Sequence, residues 1–185
     1  MRRLIRKDPY FSIDELPALK SNAFRYKGRT GYTGSIVRRP VKDAHPYKHY
    51  AFVYGFDEHD TLLLIENNED GVECISWRDF LAGCSEFEFV YFEKNPGRLE
   101  EIIQRVKERA AEPYCIDSNN CEHFVNYCVY RKLESFQAKV TIKVANIILS
   151  LMNTRLFKYT NMKNLKVFEG FDHFRRRFNL NGNDK

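Results

Sequence analysis

Cys121 stands where a helix is expected to begin, and a thiol in that position can act as a nucleophile. Residues 117–120 read Asp-Ser-Asn-Asn, whose side chains accept hydrogen bonds from the free N–H groups of a first helical turn. The helix that follows is expected to run to about Lys132, with one apolar face. That face is formed by Cys121, Phe124, Val125 and Cys128. The N–H groups and the helix dipole favour a thiolate there, whereas the alternative is a small buried apolar side chain.

A thiolate nucleophile needs a base within hydrogen-bond reach. Of the five histidines, His49 is the candidate, because it opens a strand rich in β-branched and aromatic residues. A histidine at a strand end can also be purely structural. His123 lies two residues after Cys121, so it faces away from the thiol on the helix. The others fall in a turn, a loop and an Arg-rich tail, where we expect surface positions: His45, His59 and His173.

A third group should orient the base from the neighbouring strand of a hairpin. If Gly55 faces Thr61 across the hairpin loop, His49 faces Asn67 directly. A shift of one residue in the register offers Glu66 instead. Either side chain can hydrogen-bond an imidazole, and the sequence leaves both open.

The elements that must position these residues are strands in the first half and helices in the second. Strands are predicted at Ser35–Val41, Lys48–Gly55, Thr61–Asn67, Val72–Trp77 and Phe87–Phe92. Helices are predicted at Ser12–Leu19, Trp77–Leu81, Leu99–Ala110, from Asn119 to about Lys132, and around Val140–Leu151. Consecutive strands followed by helices predict an α+β fold, in which an antiparallel sheet packs against helices.

Two boxes of residues resemble a known family. They are Tyr47-Lys-His-Tyr-Ala-Phe-Val-Tyr-Gly55 and, after an apolar strand, Asn119-Asn-Cys-Glu-His-Phe-Val125. Together they resemble the lecithin:retinol acyltransferase (LRAT) family, which includes phospholipase/acyltransferase tumour suppressors and viral proteins with a His box and an Asn-Cys box. The resemblance extends from about Gly34 to Lys132. It implies a circularly permuted papain-like (NlpC-type) arrangement of the α+β fold.

The resemblance also implies roles for the site residues. Cys121 would attack an ester or amide carbonyl, His49 would act as the base, and the N–H of Cys121 would stabilise the oxyanion. The acyl group would pass through a thioester to water, an amine or a hydroxyl, with a phospholipid as the implied donor and no cofactor or metal. Many family members carry a second histidine where this chain has Glu66 followed by Asn67. The alternatives are a thiol amidase or peptidase on the same scaffold, and an interaction module with weak catalysis.

Charge divides the chain into three parts. Residues 1–50 hold 12 Lys and Arg against 4 Asp and Glu, residues 51–130 hold 6 against 17, and residues 131–185 hold 12 against 4. This pattern is unlike the uniform basic surface of a nucleic-acid binder, and we expect no nucleic-acid partner. We predict a basic N-terminal arm (1–32), a catalytic domain (33–133) and a basic C-terminal extension with an amphipathic helix (134–185).

The C-terminal extension is the candidate for contact with a membrane surface. Apolar residues recur there at helical spacing: Val140, Val144, Ile147, Ile148 and Leu151. An aromatic stripe follows beside Arg175–Arg177: Phe168, Phe171, Phe174 and Phe178. Packing within the protein is the alternative for both. The odd number of cysteines without a C-x-x-C pair, and an N-terminus without a long apolar run, favour a reducing, cytoplasmic location, with peripheral membrane contact as an option. The spacing Cys115-x5-Cys121-x-His123 is poor for a metal site.

Overall fold

The computed structural model describes residues 10–42, 44 and 46–153. Within them the strands are β1 (Tyr10–Ser12), β2 (Ala23–Tyr26), β3 (Arg29–Pro40), β4 (Lys48–Phe56), β5 (Leu62–Asn68), β6 (Gly71–Ser76) and β7 (Glu88–Glu93). The α-helices are α1 (Trp77–Leu81), α2 (Leu99–Ala110), α3 (Cys121–Tyr130) and α4 (Phe136–Asn153). Short 3₁₀ turns lie at Ile13–Glu15 and Pro96–Arg98. The aromatic stripe and Arg175–Arg177, together with His45 and His173, lie outside the described residues.

The described strands form one antiparallel sheet in the order β1-β6-β5-β4-β3-β2, and β7 also pairs with β3. Strands β3 to β6 are consecutive neighbours, as the sequence predicts for a meander. β7 departs from that order by returning to β3, and it brings Phe89 and Phe92 against Phe24 of β2 with ring centroids 5.1 and 5.9 Å apart. Burial of these rings accounts for the return of the chain across the sheet.

The hairpin of β2 and β3 begins the sheet earlier than the sequence suggests. Lys27 and Gly28 both have positive φ (47° and 77°), as a two-residue hairpin turn requires. β3 therefore starts at Arg29 rather than Ser35. β1 and β2 both lie within residues 1–32, so part of the predicted arm contributes strands to the sheet. The short helix predicted at Ser12–Leu19 is a single turn, because Pro17 stops it.

Gly34 allows α2 to lie directly against β3. Its φ is +95°, and a Cβ added there would stand 2.5 Å from Cδ1 of Ile102 on α2. A side chain at this position would both strain the backbone and push the helix away.

Both faces of the sheet are covered. On one face the largest buried cluster joins Phe52 and Ile65 to Ile102 of α2 and to Phe124 and Cys128 of α3. On the other face, Phe80 of α1 packs with apolar residues of four strands: Val37, Ala51, Leu64 and Ile75. A strand covered on both sides needs a continuous apolar run, which explains the sequence of β5. Each fully buried large side chain contributes about 1.5–3 kcal/mol.

The α+β class, with an antiparallel sheet packed against helices, is confirmed, whereas the permuted papain-like arrangement stays a prediction. The chain divides into two compact units, residues 1–142 and 143–185. The first contains the sheet, and of the second the structure describes only the last part of α4. The predicted domain boundaries remain predictions. None of the described helices is both long and apolar enough to cross a membrane.

Candidate active site

A capping box satisfies the backbone N–H groups in the first turn of α3, except for the N–H of the thiol residue itself. The Oδ1 of Asn120 accepts hydrogen bonds from the N–H groups of Glu122 (2.9 Å) and His123 (3.0 Å). The Nδ1 of His123 accepts in return from the N–H of Asn120 at 3.4 Å. The N–H of Phe124 bonds the carbonyl of Asn120. Among the described residues, the N–H of Cys121 is therefore the first-turn donor left without a partner.

The segment before Cys121 is held by buried side chains of two other elements. Nη2 of Arg109, on α2, donates to Oδ1 of Asn119 at 2.7 Å. Nδ2 of Asn67, on β5, donates to the carbonyl oxygen of Asn119 at 3.2 Å. Asn67 was predicted as one of two residues able to orient His49, and its amide instead holds the chain two residues before the thiol. Its own Oδ1 is buried without a hydrogen-bond partner in the described part of the chain.

His49 is the second residue of β4 and contacts the other predicted orienting residue, Glu66. Their side chains lie 2.8 Å apart, from Nε2 to Oε2, and the two are 14% and 7% exposed. An ionised carboxylate only accepts hydrogen bonds, so Nε2 carries a proton and donates to Glu66. The ring of Phe80, on α1, lies over the imidazole with the two ring centroids 5.9 Å apart.

The strand register explains why Glu66 rather than Asn67 reaches the imidazole. Ala51 pairs with Glu66 and Val53 with Leu64, but Gly55 pairs with Leu63. The register shift between Val53 and Gly55 is a β-bulge, which moves β5 by one residue relative to β4. Neither register considered from the sequence occurs. Glu66 is the diagonal neighbour of His49, on the same face of the sheet.

The thiol of Cys121 and the carboxylate of Glu66 both act on the imidazole. Burial lowers the pKa of His49, but the charges of Glu66 and Cys121 and hydrogen bonds with both side chains raise it to about 10. For Glu66, burial alone would raise the pKa. The charge of His49 and hydrogen bonds from His49 and Asn68 outweigh burial, so the pKa of Glu66 lies below its usual value. Since Nε2 faces Glu66, Nδ1 is the nitrogen left for the thiol. The imidazolium form of His49 is thus favoured between a thiol and a carboxylate.

Cys121 is 5% exposed and lies beside the backbone of Lys48, where α4 begins to cover the site. Its Sγ is 3.9 Å from the carbonyl oxygen of Lys48. Gln137 of α4 bonds both backbone groups of Lys48, accepting from the N–H at 2.6 Å and donating to the carbonyl at 3.0 Å. The carboxylate of Glu122 accepts from the backbone N–H of Gln137 at 3.0 Å. Sequence reasoning missed Gln137, since one polar residue in a helical stretch gives no signal of a distant backbone contact.

The remaining chemical candidates lie elsewhere. His123 takes part in the capping box of α3. Its pKa is lowered, mainly by burial. His59 is exposed in its loop beside Glu58. Cys115 donates to Asp117, and all five cysteines are free thiols. No group of three or more His, Cys, Asp or Glu side chains in the described ranges could hold a metal ion.

The geometry brings Cys121, His49 and Glu66 together, and comparison with known proteins bears on what they do. Residues 57–134 match the family model described as lecithin retinol acyltransferase. The match contains Cys121 and Glu66, whereas His49 precedes it. No curated protein and no solved structure shows a significant match to the chain. Residues 57–134 therefore carry the signature of the lecithin retinol acyltransferase family, which confirms the resemblance and suggests acyltransferase chemistry in general.

Proposed function

We propose that this protein is a thiol-dependent acyltransferase or lipid acyl hydrolase that forms a thioester on Cys121, with a phospholipid ester as acyl donor. The observation that supports it best is the largely buried imidazole of His49 between the thiol of Cys121 and the carboxylate of Glu66. Such a group of nucleophile, base and orienting residue is what acyl transfer by a thiol requires. The choice of a phospholipid rests on the resemblance.

In the first half of the reaction the thiolate of Cys121 attacks the ester carbonyl carbon and a C–S bond forms. The carbonyl oxygen becomes an oxyanion, to which the free N–H of Cys121 would donate a hydrogen bond. When the C–O bond of the ester breaks, the leaving alkoxide takes a proton from the imidazolium of His49. The products are a thioester on Cys121, neutral His49 and the free alcohol.

The second half returns the enzyme to its starting state. Neutral His49 accepts a proton from water, an amine or a hydroxyl as that group attacks the thioester carbon. A C–O or C–N bond forms, the C–S bond breaks, and the thiolate and imidazolium are restored. The negative charge of Glu66 stabilises the imidazolium in both halves, although Glu66 does not touch the reacting atoms.

Contact with a lipid surface would bring such a substrate to the site, and the start of α4, with the loop before it, has suitable side chains. We define the α4 patch as Leu133, Phe136 and Val140, which are 53%, 73% and 41% exposed. Lys139 beside them is exposed as well; it pairs with the exposed Glu134 at 2.9 Å and would exchange that carboxylate for an anionic headgroup. On the same stretch, Gln137 and Thr141 contact Lys48 and Tyr47, next to the thiol. The patch therefore lies close to the proposed nucleophile.

The acyl adduct tests the chemistry. Incubation with a phospholipid carrying a labelled acyl chain, followed by intact-protein mass spectrometry, should give one adduct on Cys121. Cys121→Ala should abolish it, and His49→Ala should slow its formation by about 10²- to 10⁴-fold. Cys128→Ala is the matched control, since burial raises the pKa of the Cys128 thiol and it stays unreactive.

Two results would contradict this proposal. No adduct, together with a Cys121 that iodoacetamide does not alkylate near neutral pH, would favour the interaction module. Cleavage of peptides without turnover of any lipid would favour the thiol amidase or peptidase.

Sedimentation with vesicles tests the α4 patch. The full chain should bind phosphatidylserine-containing vesicles more than neutral ones, and Phe136→Ser with Val140→Ser should weaken binding. Val90→Ser is the control, because Val90 is 42% exposed on β7, about as much as Val140. Unchanged binding of the double variant, or an equal loss in the control, would count against the patch.

A further inference from the structure

Behind His49 and Glu66 lies a second buried carboxylate that the proposed reaction does not use. Glu73 of β6 pairs directly with Glu66 of β5, and both residues are buried. Side chains in such a pair have Cβ atoms only about 4.5–5.5 Å apart, and like charges there are destabilising. Something must hold these two carboxylates in place.

The side-chain amide of Asn68 joins the two carboxylates. Its Nδ2 donates to Oε1 of Glu66 at 3.0 Å and to Oε2 of Glu73 at 2.9 Å. Glu73 also accepts a hydrogen bond from the hydroxyl of Tyr10 at 2.8 Å. As a result both oxygens of Glu66 are engaged, one by Asn68 and the other by His49. The carboxylate is held in the rotation that faces Oε2 toward the imidazole.

The orientation of this amide is itself fixed by the turn between β5 and β6. The Oδ1 of Asn68 accepts the N–H of Asp70 at 2.7 Å, an Asx turn. With the oxygen used by the turn, the amide nitrogen faces the carboxylates. A fixed donor of this kind orients a charged acceptor at little cost in side-chain entropy.

We infer that Asn68 is a positioning residue for the reaction: its amide clamps Glu66 against Glu73 and so holds Glu66 on His49. The inference rests on the proposed function, because Asn68 acts on the reaction only through the base. Charged and titratable groups face Glu66 from three other strands: His49 on β4, Arg39 on β3 and Glu73 on β6. Beyond Glu73 lies Tyr10 of β1, and beyond the imidazole lies Cys121 of α3.

The protonation of His49 tests the clamp without any substrate. In Asn68→Ala and Asn68→Ser, NMR titration of the imidazole should give a His49 pKa at least one unit lower than in the wild type, a tenfold change in protonation. Serine can keep the turn through its hydroxyl but is too short to bridge the carboxylates. It therefore serves as the second variant if the alanine variant folds poorly.

Gly71→Ala distinguishes loss of the Asn68 hydrogen bonds from distortion of the turn between β5 and β6. Gly71 has φ +110° with open space around it, so alanine strains the same turn and leaves the Asn68 donors in place. The His49 pKa should then stay at its wild-type value. An unchanged pKa in both Asn68 variants, or an equal fall in Gly71→Ala, would overturn the inference.

Measuring the acyl adduct together with the His49 titration distinguishes failure of this inference from failure of the proposed function. If the wild type forms the adduct, the basic limb of its acylation rate should move down in Asn68→Ser by about the shift seen in the His49 titration, with KM for the lipid unchanged. If the wild type forms no adduct but the pKa still falls in Asn68→Ser, the proposed function fails while the clamp on Glu66 stands.

Discussion

The imidazole of His49 and the carboxylate of Glu66 meet at 2.8 Å, although the two residues are not partners in the strand ladder. The partner of Glu66 on β4 is Ala51. Diagonal neighbours of this kind point to the same face and are within reach of long side chains. The contact therefore depends on the bulge between Val53 and Gly55, at the other end of the hairpin from the histidine.

Glu66→Gln should lower the pKa of His49 from about 10 toward its ordinary value of 6.5, because the main cause that raises it is the charge of Glu66. The imidazolium that protonates the leaving group would then be lost at lower pH. We expect the basic limb of the acylation rate to move down by at least one pH unit. Glu88→Gln is the control, since Glu88 is an exposed residue paired with Arg38. The same pH profile in Glu66→Gln and the wild type would rule out this role.

Stability should fall as the pH rises above neutral. The pKa of His49 is about 10 in the folded protein against 6.5 ordinarily, so the folded state binds the proton more tightly. This contribution is fully present below pH 6.5 and is lost as the pH rises to 10, with a slope of at most about 1.4 kcal/mol per pH unit. Urea unfolding from pH 6 to 10 measures it. His49→Gln should flatten this slope, and an equally steep fall in that variant would assign the effect to other groups.

Much of the fold and part of the site follow from the sequence. The apolar spacing from Cys121 to Cys128 depends on local periodicity, and the structure has this helix, capped by Asn120 and ending at Tyr130. The hairpin of β4 and β5 also follows from its apolar runs. Its register does not, because a bulge depends on packing around one residue and moves every later pair.

Contacts between distant segments are the part that the sequence leaves out. The return of β7 to β3 depends on aromatic packing across the sheet, and an aromatic-rich strand gives no partner by itself. The contact of Gln137 with the backbone of Lys48 joins residues far apart in the chain. The hydrogen bond from Asn67 to the Asn119 carbonyl also joins residues far apart in the chain. Because the sequence does not reveal this bond, it could not distinguish Asn67 from Glu66 as the partner of His49.

Removing the cap of α3 should affect both stability and the reactivity of the thiol. Asn120→Ala deletes the acceptor for the N–H groups of Glu122 and His123, at a cost of about 1 kcal/mol in the free energy of unfolding. Freed N–H groups would let the first turn move, so iodoacetamide should alkylate Cys121 at a changed rate. Ser76→Ala, which removes the cap of α1, should lower stability without changing alkylation. Equal rates of Cys121 alkylation in the two variants would mean that the Asn120 cap does not affect the reactivity of the thiol.

Gly34→Ala should destabilise the protein more than Gly28→Ala. Both glycines have positive φ, which costs alanine about 1–2 kcal/mol, but only at Gly34 does the new Cβ meet another side chain, at 2.5 Å. Overpacking of this kind adds about 1–3 kcal/mol. Chemical denaturation compares the two. Ile102→Val removes the Cδ1 atom and should recover part of the extra loss in Gly34→Ala; equal losses in the two glycine variants would mean that α2 simply shifts.

Asn67→Ala distinguishes the two residues that the sequence left as alternatives. The Asn67 amide donates to the carbonyl of Asn119, so its loss should lower the free energy of unfolding by about 1 kcal/mol and loosen the chain before Cys121. The pKa of His49 should stay near 10, because the charge that raises it belongs to Glu66. NMR titration of His49 in Asn67→Ala and Glu66→Gln gives the comparison directly. An equal fall of the pKa in the two variants would mean that Asn67 also orients the imidazole, as in a Cys-His-Asn group.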